Sequence, residues 1–248
     1  MTTQVGTEAE ETRAAPVHPL DNAAFWSLNG PHAHFAERRG NVARYPHDVS
    51  PFLGVPSEPT PADWVDLAEL VGPGVVVPLA GIDPPLPAGW EVVSRGGGVQ
   101  LVDAGLDAVP DDEAVRLTTA DVPEVLALVE RTKPGPFRPR TIELGTYLGI
   151  RRAGELVAMA GERLHPTGWT EISAVCTDAA YRGQGLATRL VRAVAHGIRL
   201  RGETPFLHAA ATNTNAIRLY ESLGFELRRR NVFQAVRSPG DPASRAPS

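Results

Sequence analysis

Apolar and polar positions follow two different periods along this chain, and these periods predict its helices and strands. Leu186, Leu190, Val194 and Ile198 recur at steps of four, which predicts a helix with one buried face. Shorter runs rich in Val, Ile and Thr, bounded by Gly and Pro, predict strands. The predicted helices span residues 22–36, 61–71, 121–131, 185–201 and 215–223. The predicted strands span residues 75–79, 90–93, 99–102, 115–117, 146–151, 155–164, 170–177, 205–210 and 226–236.

Turn and cap residues supply the boundaries of these elements. Pro61 suits the first turn of a helix, and the Gly-Pro-Gly at 72–74 ends that helix. Thr119 is the predicted cap of the helix at 121–131. The run Gly96-Gly97-Gly98 predicts a turn between two short strands.

Strands dominate the order of elements, and helices enter late, which predicts an α+β fold with a mixed central sheet. Four segments are expected: a disordered leader at 1–16, a smaller N-terminal α+β domain at 17–105, a larger domain at 114–237 and a disordered tail at 238–248. An Asp- and Ala-rich stretch at 103–113 links the two domains.

Composition narrows the functional classes. The 248 residues carry a net charge of −5 and are 42% hydrophobic, so a sizeable core is expected and a nucleic-acid partner is disfavoured. Cys176 is the one cysteine, which rules out an intramolecular disulfide and a Cys-based metal cluster. The first 15 residues lack the apolar segment of a secretory signal, and no apolar run is long enough to span a bilayer. A soluble, cytoplasmic protein without a membrane partner is expected; the sequence leaves its oligomeric state open.

The most informative segment is Arg182-Gly183-Gln184-Gly185-Leu186-Ala187, between a predicted strand and a predicted helix. Glycines let consecutive backbone N–H groups point at one spot, and a helix N-terminus adds a partial positive charge. Such a turn suits a pyrophosphate. A tight turn without a ligand is the alternative on the glycines alone.

This segment matches the [Arg/Gln]-x-x-Gly-x-[Gly/Ala] signature of the GNAT superfamily of N-acetyltransferases. Downstream, residues 213–225 resemble the second signature of that superfamily, Asn-x-x-Ala-x-x-x-Tyr-x-x-x-Gly-Phe. The resemblance covers residues 115–237. It implies a mostly antiparallel central sheet flanked by helices, and acetyl-CoA as cosubstrate without a metal. The pattern is neither a dinucleotide-binding fingerprint nor a P-loop.

The resemblance also implies a set of cofactor contacts, position by position. The strand before the motif would offer backbone groups to the pantetheine arm, the glycine-rich turn would hold the pyrophosphate, and the second signature would supply two asparagines. These residues are Val175, Cys176 and Thr177; Arg182, Gly183, Gln184, Gly185, Leu186, Ala187 and Thr188; and Asn213 and Asn215.

Two side chains are candidates for the chemistry. An attacking amine must lose a proton, and a carboxylate can receive it directly or through water. Glu171 lies 11 residues before Arg182, the offset of the catalytic glutamate in the histone acetyltransferases of the superfamily; Glu143 and Glu162 are the fallback candidates. Tyr220 stands where the superfamily places its general acid. The alternatives are a solvated charge for Glu171 and core packing for Tyr220.

Other residues that suggest chemistry are interpreted structurally. Strand alternation predicts that Glu171, Ser173, Val175 and Thr177 share one face, which leaves Cys176 off that face as a buried structural thiol rather than a nucleophile. The pair His32 and His34 is not expected to bind a metal. His165, His196 and His208 are interpreted as ordinary surface or core residues.

We call the predicted domain at 17–105 the first block and the domain at 114–237 the second block. The first block carries no coenzyme A signature. Its strand-rich end could be a degenerate copy of the GNAT fold, and we expect a non-binding domain that shapes the acceptor pocket. The sequence thus predicts an N-acetyltransferase that moves an acetyl group to the primary amine of a small molecule or amino acid, with Glu171 as general base and Tyr220 as general acid. A protein lysine or N-terminal acetyltransferase and a non-catalytic acyl-CoA sensor are the alternatives.

Overall fold

A computed structural model describes residues 18–240 of the chain. The leader predicted at 1–16 lies outside the described residues, as does most of the predicted tail. The helices are α1 (Ala23–Leu28), α2 (Pro61–Val71), α3 (Val122–Thr132), α4 (Leu186–Leu200) and α5 (Thr214–Ser222). The strands are β1 (Glu37–Arg39), β2 (Val42–Arg44), β3 (Leu53–Gly54), β4 (Val76–Ala80), β5 (Glu91–Asp103), β6 (Val115–Arg116), β7 (Tyr147–Arg152), β8 (Glu155–Glu162), β9 (Trp169–Thr177), β10 (Thr204–Ala210) and β11 (Phe225–Arg237).

An eight-stranded sheet organises the molecule, in the order β4-β11-β5-β10-β9-β8-β7-β6, while β1-β2-β3 form a small separate sheet. Neighbouring strands of the large sheet are antiparallel except for the parallel pair β9 and β10. The predicted fold class, α+β with a mixed, mostly antiparallel sheet flanked by helices, is confirmed. Within residues 18–240, no helix has the length and apolar character needed to cross a membrane.

Both sequence blocks contribute to this one sheet, because β4 and β5 of the first block hydrogen-bond with β11, and β5 also with β10. Their cores mix as well: Trp64 and Leu67 of α2 lie in one apolar cluster with Val236 of β11. The limits 17–105 and 114–237 therefore do not separate two sheets or two cores. As limits of folding units they stay a prediction.

Helix α4 covers the sheet with the face that its sequence predicts. Leu186, Leu190, Val194 and Ile198 are all buried and lie in one cluster with residues of β5, β8, β9 and β10. The glycine after this helix, Gly202, has φ +76°, a left-handed conformation that ends helices. The stripe at steps of four is confirmed as the core face.

Three local predictions are wrong. The helix predicted over 22–36 stops at Leu28, because Asn29, Gly30 and Pro31 interrupt it before a short 3₁₀ turn. Thr118, not Thr119, caps the segment before α3, and it shares reciprocal hydrogen bonds with Asp121. The glycine run 96–98 is no turn, since β5 continues through it beside β11.

Candidate active site

The glycine-rich turn between β9 and α4 has the geometry of an anion site. Gly183 and Gly185 have φ values of +77° and +73°, which residues with a Cβ rarely adopt. Among the described residues, none accepts a hydrogen bond from the backbone N–H groups of 183–188. These donors surround the N-terminus of α4, so the turn presents unpaired N–H groups and a positive helix end to a ligand.

Two groups beside this turn extend the polar surface. Arg182 donates from Nε to the carbonyl of Thr177 at 3.3 Å, which leaves its terminal nitrogens to reach outward. The hydroxyl of Thr177 is buried and has no hydrogen-bond partner among the described residues. A buried polar atom without a partner is costly, so a ligand group at this position would satisfy it. The turn and these neighbours therefore fit the pyrophosphate end of acetyl-CoA.

A gap in the sheet leads away from the turn. Strand β10 pairs with β9 only from Trp169 to Ile172, so residues 173–177 of β9 have no strand partner on that side. A bulge accompanies the gap: between the pairs Ser173–Gly161 and Cys176–Met159, two residues of β9 lie opposite one of β8, and Ala174 has φ +55°. The bulge packs the partly buried Val175 against the core cluster that contains Ile172, so the strict alternation predicted from Glu171 to Thr177 is wrong.

The residues assigned to the cofactor meet in one cavity of about 960 Å³. Its lining includes Val175, Cys176, Thr177, Arg182, Gly183, Gly185, Leu186, Ala187, Thr188, Asn213, Asn215 and Tyr220. Gln184 is the one cofactor candidate that does not line it. The side-chain oxygen of Asn213 accepts from Ala216 N–H and so caps α5, which leaves its amide nitrogen for a ligand.

Tyr220 of α5 is 8% exposed and lines the cavity, while its ring packs edge-on against Phe225 at a centroid distance of 6.1 Å. Burial, with the nearby Cys176, raises the pKa of Tyr220 to about 12. The phenol is therefore protonated at neutral pH and able to donate. Burial likewise raises the pKa of the Cys176 thiol, which keeps it in the unreactive protonated form.

Glu171 is not exposed to the cavity, as a general base in direct contact with the amine would be. Its side chain is fully buried and does not line the cavity. One oxygen accepts from Arg163 Nη2 and His208 Nδ1, both at 2.7 Å; the other accepts from Arg163 Nε at 2.9 Å. Burial alone would raise the pKa of Glu171, but the charge of Arg163 and hydrogen bonds from Arg163 and His208 lower it to about 2. The role of Glu171 as base stays a prediction.

The fallback carboxylates are also engaged. Glu162 is 4% exposed; its side chain accepts from Thr146 N–H at 3.1 Å and from Arg201 at 3.0 Å. Glu143 pairs with Arg140 on the surface at 2.8 Å. Neither lines the cavity, so the structure brings neither to the site.

Glu171 is part of a row of polar side chains that crosses five neighbouring chain segments. From β11 to the end of β8 the row consists of Arg228, Gln100, His208, Glu171 and Arg163, and it ends on Asp21 beside Arg228. Gln100 accepts from Arg228 at 2.8 Å and donates to Leu20 O at 2.8 Å and His208 Nε2 at 3.0 Å. In this arrangement the Nδ1 side of the His208 ring faces Glu171, and the Nε2 side faces the Gln100 amide.

Residues of both sequence blocks line the other end of the cavity, beyond the gap in the sheet. We call this end, which we propose holds the acceptor, the acceptor chamber; Leu20, Asp21, Ala23, Ala24, Phe52, Leu79, Arg163, His208 and Phe233 line it. Neither of the two sequence signatures predicts the residues that line this chamber. The first-block positions carry no local signal, and Arg163 and His208 are recognisable only once the sheet brings them beside Glu171.

The loop after α3 borders the cavity near the glycine-rich turn. Lys133 ends the helix with φ +49°, a left-handed cap, and its ammonium contacts Glu130 at 3.1 Å. Lys133 and the residues 134–136 line the cavity, yet the lysine side chain is 75% exposed. Across residues 18–240, no group of three or more His, Cys, Asp or Glu side chains is placed to hold a metal ion.

Comparison with known proteins gives this geometry a family. A crystal structure of a putative acetyltransferase from the GNAT family of Novosphingobium aromaticivorans superposes with a TM-score of 0.82; it is 38% identical, covering 91% of this chain and all of that one. The chain belongs to the GNAT family of acetyltransferases. Residues 147–234 match the family model described as FR47-like protein. The resemblance seen in the two signatures is confirmed.

Two relatives named as acetyltransferases match a smaller part of the chain. The N-alpha-acetyltransferase RimI of Mycobacterium tuberculosis is 34% identical over 110 residues, which are 39% of this chain and 68% of that protein. Mycothiol acetyltransferase of Corynebacterium glutamicum is 37% identical over 79 residues, 32% of this chain and only 27% of that protein. Both are acetyltransferases by name, with different acceptors. GNAT acetyltransferases use acetyl-CoA as cosubstrate.

Proposed function

We propose that this chain transfers the acetyl group of acetyl-CoA to the primary amine of a small molecule held in the acceptor chamber. The observation that carries the proposal is the single cavity. It joins the glycine-rich turn, the gap between β9 and β10, and a chamber walled by first-block residues such as Leu20 and Phe52. A concave chamber with such a wall suits a small substrate better than an extended protein surface.

The proposed reaction is direct attack. The amine nitrogen forms a bond to the thioester carbonyl carbon, the carbon–sulfur bond breaks, and the thiolate takes a proton from the phenol of Tyr220. Because the strand is unpaired at 173–177, backbone N–H groups there are available to stabilise the developing negative charge on the carbonyl oxygen. The amine attacks in its neutral form and passes one N–H proton to water, and the Tyr220 phenolate takes a proton back from water, so the products are an amide and a neutral thiol.

Two contacts modify the proposed role of Glu171. The charge of Arg163 and the hydrogen bonds from Arg163 and His208 hold the pKa of Glu171 well below its usual range, so its carboxylate is a poor proton acceptor near neutral pH. Its oxygens are also taken up by Arg163 and His208. We therefore propose that Glu171 positions these two chamber residues, and that direct proton removal by its carboxylate is the weaker alternative.

A protein N-terminus is the second candidate acceptor, favoured by the similarity to RimI. An assay of free thiol released from acetyl-CoA separates the two. Small amines and free amino acids are expected to support release, whereas peptides of ten residues are expected to support little. Release with peptides alone would overturn the small-molecule proposal in favour of this candidate, and binding of acetyl-CoA without release on any acceptor would support a sensor.

The cofactor end is tested with two glycines at opposite ends of α4. Gly185 and Gly202 both have left-handed φ values and no atoms within 4 Å of an added Cβ, but only Gly185 lines the cavity. Gly185→Glu places a carboxylate among the N–H donors, so acetyl-CoA affinity measured by calorimetry is expected to fall at least tenfold. Gly202→Glu carries the same backbone strain and is expected to bind as the wild type. Equal affinities in both folded variants would refute the assigned site.

A further inference from the structure

The guanidinium of Arg163 can bind a carboxylate through either of two pairs of N–H groups, and the described residues occupy only one of these pairs. Nε and Nη2 donate to the two oxygens of Glu171 at 2.9 and 2.7 Å, a paired contact along the side of the group. Guanidinium has five N–H donors, and among the described residues none accepts from Nη1. The remaining fork, formed by Nη1 and the second N–H of Nη2, is therefore available to a ligand.

The surroundings of Arg163 fix this group in the wall of the acceptor chamber. Its side chain is 14% exposed, and Arg163 lines the cavity. The ring of Phe52 lies against the guanidinium, with 4.8 Å from its central carbon to the ring centroid. Because Glu171 and Phe52 hold the plane, the free fork is preorganised, and little entropy would be lost when a ligand binds it.

The other charges around the chamber are already paired. Asp21 accepts from Arg228 at 2.8 Å and lies 3.2 Å from Arg229. Glu171 is neutralised by Arg163, and His208 faces it with the Nδ1 side of its ring. Among the described charged side chains of this wall, Arg163 is therefore the one with free donors. The same cavity is lined by the polar Ser173 and Gln234 and by the apolar Leu20, Ala23, Ala24, Phe52, Leu79 and Phe233.

We propose that the free fork of Arg163 binds a carboxylate of the acceptor. The acceptor is then a small amine that carries a carboxylate and an apolar body, as a free apolar α-amino acid does. The inference rests on the proposed function, since it names the substrate class of that same chamber. Bidentate recognition of a carboxylate by a fixed guanidinium discriminates strongly against a ligand without it, because the donors are then left unpaired.

Matched compounds test the proposal in the wild-type enzyme. Leucine, leucinamide and 3-methylbutylamine share an apolar body and an amine, and only leucine has the carboxylate; phenylalanine, phenylalaninamide and 2-phenylethylamine repeat the series. We expect kcat/KM from thiol release to be at least tenfold higher for the amino acids. The amine of the amides is less basic and so more of it is neutral, so this preference would run against intrinsic reactivity. Amides or plain amines that react as well as the acids would overturn the carboxylate site.

Variants assign the preference to Arg163. Arg163→Lys keeps the positive charge beside Glu171 and removes the fork, so the ratio of acid to amide is expected to fall at least tenfold. Arg201→Lys is the matched control, because Arg201 also pairs with a buried carboxylate, Glu162, but does not line the cavity. An unchanged ratio in folded Arg163→Lys would contradict the assignment; if that variant unfolds, the wild-type comparison alone decides.

A binding measurement separates this inference from the proposed function. With CoA present, calorimetry is expected to show N-acetylleucine binding at least tenfold more tightly than N-acetylleucinamide. If no amine supports thiol release while this difference persists, the transferase proposal fails and the carboxylate site stands. If amines of every kind are acetylated and the two acetylated compounds bind alike, the transferase proposal stands and the carboxylate site fails.

Discussion

Glu171 shows how a single buried carboxylate can order a site that it does not touch. Its oxygens hold Arg163 on one side and His208 on the other, and both of these residues line the acceptor chamber. The pair Arg163 and Glu171 is buried, so each charge depends on the other for compensation. Altering Glu171 should therefore disturb the chamber as a whole.

Glu171→Gln separates a positioning role from that of a base. Loss of the charge frees Arg163 and His208, so kcat/KM for the amine is expected to fall about 10²-fold, by the same factor from pH 6 to pH 9. A base would behave differently, because its loss matters less as rising pH deprotonates the amine unaided. The measurement is the pH profile of kcat/KM, with acetyl-CoA affinity and thermal unfolding as controls. Recovery of activity at high pH would restore Glu171 as the base.

The sequence points to the residues of the glycine-rich turn but not to Arg163 and His208 in the opposite end of the cavity, for a physical reason. The residues of the glycine-rich turn are neighbours in the chain, so a local motif reports them. Arg163, Glu171 and His208 lie on three segments and meet only through strand pairing. The offset between Glu171 and Arg182 identified the glutamate, but no spacing in the sequence predicts its ion pair with Arg163.

At the scale of single elements, β5 shows why a glycine run need not be a turn. Strand β11 lies beside this run in the sheet. Gly98 pairs with Asn231, Gly97 with Val232 and Gly96 with Phe233. An added Cβ at Gly98 would lie 2.5 Å from the Phe233 ring and 2.6 Å from Asn231 Oδ1. The glycine therefore leaves room for neighbouring side chains, a packing need that looks like turn chemistry in the sequence.

Gly98→Ala tests this close approach, with Gly96→Ala as its control in the same strand. At Gly96 an added Cβ would meet nothing within 4 Å. Overpacking typically costs about 1–3 kcal/mol, so Gly98→Ala is expected to lower the free energy of unfolding by that amount. Gly96→Ala should be neutral or slightly stabilising. Urea titrations measure both values, and equal stabilities would mean that Phe233 and Asn231 adjust freely.

At the scale of the whole molecule, the two sequence blocks make contacts with each other that neither GNAT signature predicts. His32 of the first block is 3% exposed; its Nε2 donates to Leu144 O of the second block at 3.2 Å, and its Nδ1 accepts from the Tyr45 hydroxyl at 2.9 Å. Burial, with the charge of nearby His165, lowers the pKa of His32 to about 4. The ring is therefore held neutral in the folded state.

This buried ring predicts an acid-sensitive contact. An unfolded histidine binds a proton near pH 6.5 but the folded one only near pH 4, so its stabilising contribution is complete above pH 6.5 and is lost as pH falls toward 4. The loss amounts to at most about 3 kcal/mol. His32→Gln should flatten the fall in unfolding free energy over that window, whereas His47→Gln, at an exposed histidine, should not. Identical pH profiles for wild type and His32→Gln would contradict this assignment.

The linker predicted at 103–113 is tied to the sheet domain. Asp103 and Asp111 each make paired contacts with arginines of α4, Arg199 and Arg189, at 2.6–2.7 Å. Its Asp- and Ala-rich composition suggested a link between two domains, but the matching arginines stand some 80 to 100 residues later in the chain. Their pairing depends on where α4 packs, which the composition of the linker does not report.

The position of Lys133 has a practical consequence. It is the one lysine in the 248 residues, and it stands exposed at the border of the cavity. Reagents that couple to lysine side chains therefore modify this protein at a single side chain. A fluorophore attached there would sit beside the cosubstrate, where a change in its emission could report occupancy. For the same reason, immobilising the protein through lysine would tether it by the rim of its own cavity, so a surface-binding experiment needs another handle.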